Sequence, residues 1–397
     1  MTRPWLTIVG LGENGPDGLP PASRDALDGA EVVMGAARHL ALVPDTGAER
    51  IVWPVPFAAG LAVLAGLRGR RVVVLASGDP FWHGAGAAIA RDFAAGEWTA
   101  LPAPGVFSLI AARMGWALEL TLCLGLHAAP LTRLRPHLAP GLRAIVLLRD
   151  GAAVAALGDY LTAQGFGASA LTVCEAMGGP RERVTPVQAD AVQGAFAHPV
   201  AVALTVAGDG MVMPCASGLE DATFDTDGQI TKRPMRALAL SALAPRPSEL
   251  LWDIGGGSGS IAIEWLLSHP TTQAISVEPR PNRATRIRAN ADQLGVDRLT
   301  VVTGSAPAAL DGLPTPQAVF VGGGLSVALL VDLTARLAPG TRLVAHAVTL
   351  ESEALLATWA ARRGGELLRI ALAEATPLGS KRGWTSAYPV VQWRVVL

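Results

Sequence analysis

Lysine is nearly absent: of the 32 cationic residues in this 397-residue chain only Lys232 and Lys381 are lysines, and each is followed by an arginine. An arginine-biased genome accounts for the scarcity but not for where the two survivors sit. Charge of either sign is thin, with 33 acidic residues, 16% charged residues in all and a formal net charge of -1. Such a balance lacks the broad basic field that tracks phosphate, which argues against nucleic acid as a partner. Cys123, Cys174 and Cys215 are odd in number, widely spaced and without a CxxC, so neither a disulfide framework nor a zinc knuckle is indicated. No histidine has ligand spacing with another His or Cys, and no metal is expected. Long apolar runs are missing too: Val200–Ala207 and Ile145–Leu148 fall far short of the roughly 18 residues that span a bilayer. No membrane is therefore expected. Gly10, Gly12 and Glu13 come too early for a signal-peptide apolar region, and the expectation is a cytoplasmic enzyme.

What the chain has is apolar residues, 50% of the total, which excludes disorder. The length predicts two domains, or at most three. From Leu6 to about Ala207 short apolar runs (Leu6–Gly10, Glu31–Met34, Arg71–Ala76, Leu142–Leu148, Leu171–Cys174, Val200–Val206) alternate with helical patterns such as Gly84–Ala95 and Phe107–Met114. That alternation predicts an α/β layout with a largely parallel sheet. Gly208–Ile230 has neither period and reads as a linker. The alternation then restarts: helix Pro234–Leu243, strand Leu250–Ile254, helix Ser258–Ser268, strand Ala274–Val277, helix Arg283–Leu294, and strands near Leu299–Val302, Ala318–Val321 and Arg342–Ala345. A helix at Ser352–Gly364 and apolar stretches at Glu366–Ala371 and Pro389–Val396 complete a second doubly wound unit. The expected organisation is a domain over 1–207, a linker over 208–230 and a Rossmann-like domain over 231–397.

In the second half, Trp252-Asp253-Ile254-Gly255-Gly256-Gly257-Ser258-Gly259-Ser260 follows a strand and opens a helix, and Glu278 ends the next strand. Glycines at such a turn admit a ligand close to the backbone, and a carboxylate at the following strand tip can accept both hydroxyls of a ribose. This describes a nucleoside-containing cofactor. Gly257-x-Gly259-x-x-Ala262 also fits a dinucleotide, and a purely structural turn is a third reading. Two features favour S-adenosyl-L-methionine: Asp253 offers a carboxylate to a cationic amino-acid tail, and glycines recur at 255, 257 and 259.

Thr231-Lys232-Arg233-Pro234-Met235-Arg236-Ala237-Leu238, then this turn, then Phe320-Val321-Gly322-Gly323-Gly324, resemble the decarboxylating precorrin methylases known as CbiT. The resemblance implies cofactor contacts from Thr231, from Gly255, Gly256, Gly257, Ser258 and Gly259, and from Glu278, with the backbone of Ala306 near the adenine. In the first half, Val9-Gly10-Leu11-Gly12-Glu13-Asn14-Gly15, Leu75-Ala76-Ser77-Gly78-Asp79-Pro80, Pro102-Ala103-Pro104-Gly105-Val106-Phe107-Ser108, Leu126-His127 and Cys174-Glu175-Ala176-Met177-Gly178-Gly179-Pro180 resemble the class III tetrapyrrole methylases, in particular the C5-methylating branch known as CbiE. That family usually opens with Gly-x-Gly-Pro-Gly. Glu13-Asn14 departs from it and makes the first loop a tetrapyrrole contact rather than a cofactor cradle. The resemblance implies a fold of two α/β subdomains with the cofactor in the cleft between them, held near Gly78 and Asp79, by Ser108 and around Met177. His127 is either a loop histidine or an acid–base group.

Both resemblances in one chain, in this order, match the fused bifunctional methylases of the CobL type. They imply cobalamin biosynthesis, two S-adenosyl-L-methionine sites per chain, and precorrin-6Y methylated at carbons 5 and 15 with loss of the ring C acetate carboxyl. Both families tend to self-associate, so a dimer or tetramer is expected. A carboxylate-fringed substrate needs local cations. Lys232 and Arg233 precede Pro234 at a helix start, and Lys381 and Arg382 fall in an expected loop between late strands; one pair orients the acetate that is lost, unless both are solvated surface. Arg280, Arg283, Arg286 and Arg288 scatter around a helix and read as solvated. Two alternatives stay open: a NAD-type oxidoreductase, and a tetrapyrrole carrier without turnover.

Overall fold

The computed structural model describes residues 4–397. The chain divides into two compact units, one holding the residues through Ala129 with Ala139–Met211, the other Pro130–Leu138 with Val212–Leu397.

In the first unit β1 (Leu6–Leu11), β2 (Val32–Gly35), β3 (Glu49–Val52), β4 (Val72–Ser77) and β5 (Trp98–Leu101) form a parallel sheet in the order β3-β2-β4-β1-β5. Its central strands are apolar at nearly every position because both faces are covered. Leu6, Ile8, Val72 and Val74 pack with Leu64 and Ile89 on one side, and Val9, Leu11, Val73 and Leu75 with Leu27 and Leu40 on the other. The sequence pattern misses β3 and β5, which are edge strands with half-exposed residues. A second sheet contains β6 (Leu122–Gly125), β7 (Arg143–Leu148), β8 (Ala170–Glu175), β9 (Arg183–Gln188) and β10 (Val200–Thr205) in the order β6-β7-β10-β8-β9. Here the expectation of a largely parallel sheet fails. Only β6 and β7 run parallel, because the short link over 176–182 can join β8 to β9 only as a hairpin, and β10 returns antiparallel between β7 and β8.

The second unit follows the doubly wound expectation. β11 (Leu250–Ile254), β12 (Gln273–Glu278), β13 (Thr300–Thr303), β14 (Ala318–Val321), β15 (Arg342–Ala347), β16 (Glu366–Ile370) and β19 (Val390–Val396) make a sheet in the order β13-β12-β11-β14-β15-β19-β16. The order reverses between β11 and β14, which opens a crevice at their carboxyl ends. β17 (Ala373–Leu378) and β18 (Lys381–Ser386) form a separate hairpin. Lys381 and Arg382 therefore lie on a strand, opposite Leu378 and Pro377, and not in the expected loop. The two residues between the strands, Gly379 at φ +61 and Ser380, supply the tight turn.

Residues 212–230, expected as a linker, are packed into the second unit. Met213, Leu219 and Phe224 are buried in its core beside Leu240, Leu243, Ile263 and Trp265. The segment is fastened by ions. Arg236, wholly buried on the helix Arg233–Leu243, donates to Glu264 at 2.5 Å, to Asp221 at 3.0 Å and to the carbonyls of Leu219 and Thr231, with its guanidinium over the Phe224 ring. Glu264 in turn accepts the amides of Gly218 and Leu219. Arg283 and Arg286, expected as solvated, pair with Asp227 and Asp225 of the same segment, which corrects that reading. Removing one partner of a buried ion pair strands the other, at about 3–5 kcal/mol. Glu264→Ala takes the buried partner from Arg236, which keeps Asp221 and two carbonyls, and strips the acceptor from two amides, so the second unit is expected to lose about that much stability, read as a lower urea midpoint by circular dichroism.

Candidate functional sites

In the second unit the crevice is made by backbone. Gly255, Gly257 and Gly259 take φ of +74, +60 and +78, where a side chain is strained. A Cβ on Gly255 would lie 2.6 Å from the Cα of Gly323, so the loops after β11 and β14 touch at the point where the strand order reverses. Gly256 has no room either, with Ser276 Oγ 2.0 Å from its would-be Cβ. The left-handed Gly259 delays the helix to Ser260–Ser268, two residues later than the sequence pattern indicates.

Glu278 is buried at the end of β12 and accepts the amides of Gly257 at 2.9 Å and Arg280 at 3.0 Å. A carboxylate has about four acceptor positions, so two remain. Asp253 is buried beneath the turn and accepts Ser276 Oγ at 3.2 Å. Ser258 Oγ is buried and has no hydrogen-bond partner among the described residues, an orphaned polar atom inside the turn. The carbonyl of Gln229 lies 3.4 Å from the would-be Cβ of Gly257, which lays the strand of chain leading to Thr231 against the turn. Gly304 donates to the carbonyl of Glu278 at 3.1 Å and brings the half-buried Ala306 alongside.

Lys232 and Arg233 are exposed at the start of the helix Arg233–Leu243, where Lys232 pairs with Asp221 at 3.5 Å and Arg233 with Glu220. Met235 in the first turn packs with Ile370, Leu372 and Val390 at the base of the β17–β18 hairpin that carries Lys381. The two lysine-bearing elements are thus tied together at their roots, although Lys381 itself points from an exposed strand.

In the first unit Gly78, Asp79, Ser108, Met177 and His127 all line one cleft of about 820 Å³. Close backbone contact builds it: a Cβ on Gly10 would meet the Gly78 carbonyl at 1.9 Å, and one on Gly78 would meet Gly105 Cα at 2.6 Å. Asp79 accepts the amide of Phe81 at 2.8 Å and shapes the loop. Glu13 is held by Arg38 and by Arg181, and Arg38 also donates to Ser77 Oγ at 2.6 Å. His39 meets the same hydroxyl at 3.0 Å, and burial, followed by the nearby Arg38, pushes it down to about 4. Sequence reasoning missed Arg38, His39, His83 and His198 in this cleft. No motif marks them, and the one available signal is the tally after folding: four of the seven histidines line this cleft.

A family model described as tetrapyrrole (corrin/porphyrin) methylases matches residues 5–193, and one described as precorrin methyltransferase domain matches residues 222–397. The chain is 50% identical over 399 residues to a precorrin-6Y C(5,15)-methyltransferase [decarboxylating] of Sinorhizobium sp, covering 99% of this chain and 96% of that one. It belongs to the precorrin-6Y C(5,15)-methyltransferase family. The chain is also similar to a cobalt-precorrin-6B C(15)-methyltransferase (decarboxylating) of Salmonella typhimurium, 31% identical over 166 residues, 41% of this chain and 85% of that one. A solved structure, the C-terminal domain of precorrin-6Y C5,15-methyltransferase from Rhodobacter capsulatus, is 55% identical and covers 47% of this chain and 100% of its own, with a TM-score of 0.46. Members of the precorrin-6Y C(5,15)-methyltransferase family are methyltransferases that use S-adenosyl-L-methionine, and this chain is such an enzyme. The oxidoreductase and carrier alternatives are set aside. Among the described residues no helix is long and apolar enough to cross a membrane.

Burial, opposed in part by the Ser276 hydrogen bond and reinforced by Glu278, pushes Asp253 up to about 7. The folded chain therefore keeps a proton that the unfolded chain, with an ordinary aspartate value near 4, has released. This group's contribution to stability is full below about pH 4, declines as pH rises to about 7 and is level above. Asp253→Asn is expected to gain stability relative to the parent at pH 8 over pH 5 in the cofactor-free protein. Denaturant midpoints at the two pH values check the sign.

Proposed function

We propose that this enzyme converts precorrin-6Y to precorrin-8, the first unit methylating carbon 5 and the second methylating carbon 15 with release of the ring C acetate carboxyl as carbon dioxide. The observation that carries the proposal is the pair of separately built, glycine-lined sites in one chain, each in the half matched by its own methylase family model. Two cofactor sites per chain follow from the same reading.

Bound S-adenosyl-L-methionine supplies an electrophilic methyl group on a sulfonium. The residues of the second unit suit it. The turn from Gly255 to Gly259 is packed so closely on Gly323, Ser276 and Ile287 that its backbone is left bare, Asp253 offers a carboxylate to an ammonium, and Glu278 has acceptor positions left for ribose hydroxyls. Thr231 and the backbone of Ala306 flank the turn. The protein's task is mainly alignment of donor and acceptor and exclusion of water. In the first unit Gly78, Asp79, Ser108 and Met177 form the cofactor side of the cleft, and His127 is a proton-handling candidate in the same cleft.

The lost acetate needs a cation. Lys232 and Arg233 stand at a helix N-terminus, whose dipole favours an anion, and Asp221 and Glu220 hold them until a substrate carboxylate replaces those partners. Lys381 is the alternative on the neighbouring hairpin. The macrocycle itself takes up the electron pair left by carbon dioxide.

Self-association is part of the proposal. The β17–β18 hairpin and its exit expose Leu378, Trp384 and Tyr388 at 68%, 78% and 88%, an apolar set that suits an interface in a dimer or tetramer. The same reading puts the enzyme in the cytoplasm, which cell fractionation checks.

Mass spectrometry of precorrin-6Y incubated with the protein and methyl donor is expected to give a product with two added methyl groups and one lost carbon dioxide. Titration calorimetry should count two cofactor equivalents per chain; one equivalent removes the two-site reading. In the same assay Lys232→Met should slow decarboxylation and carbon-15 methylation at least tenfold, and a parental rate moves the role to Lys381. Trp384→Glu should lower the mass measured by sedimentation, while an unchanged mass takes the hairpin out of the interface.

A further inference from the structure

One side chain of the first-unit cleft is held with more care than packing requires. His83 has φ +59, a left-handed backbone that a non-glycine residue adopts only under strain and that clusters at functional sites. The surrounding loop fixes it. Gly86 donates to the carbonyl of Pro80 at 2.8 Å, and a Cβ on Gly84 or Gly86 would lie 2.6 or 2.7 Å from that carbonyl. The imidazole is laid on the end of β6: a Cβ on Gly125 would meet its Nδ1, Cγ and Cε1 at 2.7, 2.8 and 2.9 Å. Phe107 stands against the ring at 5.9 Å between centroids, and His127 meets it edge-on at 6.2 Å. Two loops from different sheets thus form a seat for one imidazole. Among the described residues neither ring nitrogen of His83 has a hydrogen-bond partner in that seat.

Two of the other cleft histidines are committed elsewhere, and His127 serves as an edge of the seat. His39 is buried on Ser77, and His198 lies in the field of Arg38 and Arg181. Burial, with His127 beside it, lowers His83 and favours the neutral imidazole, the form that accepts a proton.

A meso carbon of a conjugated macrocycle carries one hydrogen. When that carbon bonds to the incoming methyl, the methyl–sulfur bond breaks with its electron pair going to sulfur, and the carbon becomes tetrahedral with both hydrogen and methyl attached. Conjugation returns when the C–H bond breaks, its electron pair rejoining the π system and its proton leaving. Nothing is oxidised or reduced, but the proton needs an acceptor. We propose that His83 is the catalytic residue that takes this proton in the first-unit methyl transfer, with Gly125, Phe107 and His127 as the seat that aims its ring. The assignment rests on the first unit being the carbon-5 methylase.

The test uses the full chain, methyl donor labelled with ¹³C on the methyl, and precorrin-6Y under anaerobic conditions, with each labelled position followed by NMR. His83→Ala should reduce the rate of labelling at carbon 5 by about a hundredfold or more, the usual contribution of a positioned proton acceptor. Cofactor binding by calorimetry should stay at the parental affinity. Added imidazole should restore part of the His83→Ala rate and none of that of His83→Phe, which fills the seat without a base. A second readout needs no turnover: in the cofactor-free protein, precorrin-6Y should shift the His83 ring-proton resonance. Parental labelling in His83→Ala, an unmoved resonance, or equal indifference of both variants to imidazole overturns the assignment. If the wild-type chain labels carbon 15 but never carbon 5, the first-unit reading falls and the assignment falls with it.

Discussion

Both sites depend on one steric constraint, the contact of backbone with backbone at the carboxyl ends of strands. After β11 and β14 two glycine loops meet at Gly255 and Gly323, and after β1 and β4 the chain closes at Gly10, Gly78 and Gly105. No side chain fits at Gly10, Gly78 or Gly255. The sheets are of different topology, but each leaves its crevice where strand ends converge and bare amides and carbonyls face outward. Conformational freedom that glycine gives up on folding is exchanged for a surface on which a cofactor can lie close to the main chain.

Charge is used sparingly and locally. The chain is nearly neutral, and several cations near the sites are held by named partners. Glu13 keeps Arg38 and Arg181 at the first cleft, Asp221 and Glu220 keep Lys232 and Arg233 at the second, and the wholly buried Arg236 is matched by Glu264 and backbone carbonyls. Exposed pairs of this kind contribute little to stability and can be exchanged for a ligand's charge. The buried pair cannot be exchanged, and it fixes the course of the chain that leads to Thr231. The buried pair and the exposed ones lie only a few residues apart.

The parts of this structure that were legible in the sequence are those where backbone geometry forces a residue choice. The turn at Gly255–Gly259, its acidic companion Glu278 and the loop at Gly78–Asp79 announce themselves because few other residues fit those conformations. Fully buried strands such as Val72–Ser77 and Val200–Thr205 were equally plain. Edge strands were not, since half-exposed residues carry no clear period. The β17–β18 hairpin read as a loop because its sequence is polar and its partner strand lies only two residues away, with no buried face to mark it. His83 had no signal at all: its role is suggested by a glycine 42 positions later in the chain, at Gly125, that makes room for its ring. Arg283 and Arg286 looked solvated because their partners come from a segment that showed no regular structure.

That segment has a bearing on how the two halves could ever exist apart. Met213, Leu219 and Phe224 belong to the interior of the second unit, and Gly218 and Leu219 complete the surroundings of Glu264. A chain divided at residue 231, where the helical pattern restarts, would leave the first polypeptide trailing three apolar side chains in water and the second with an open trench over Arg236. Divided ahead of residue 212, the second polypeptide would keep these residues but lack Pro130–Leu138, which belong to the same unit. Of the two cuts, packing therefore favours the one near Asp209–Met211, well ahead of the point at which the second set of regular elements begins.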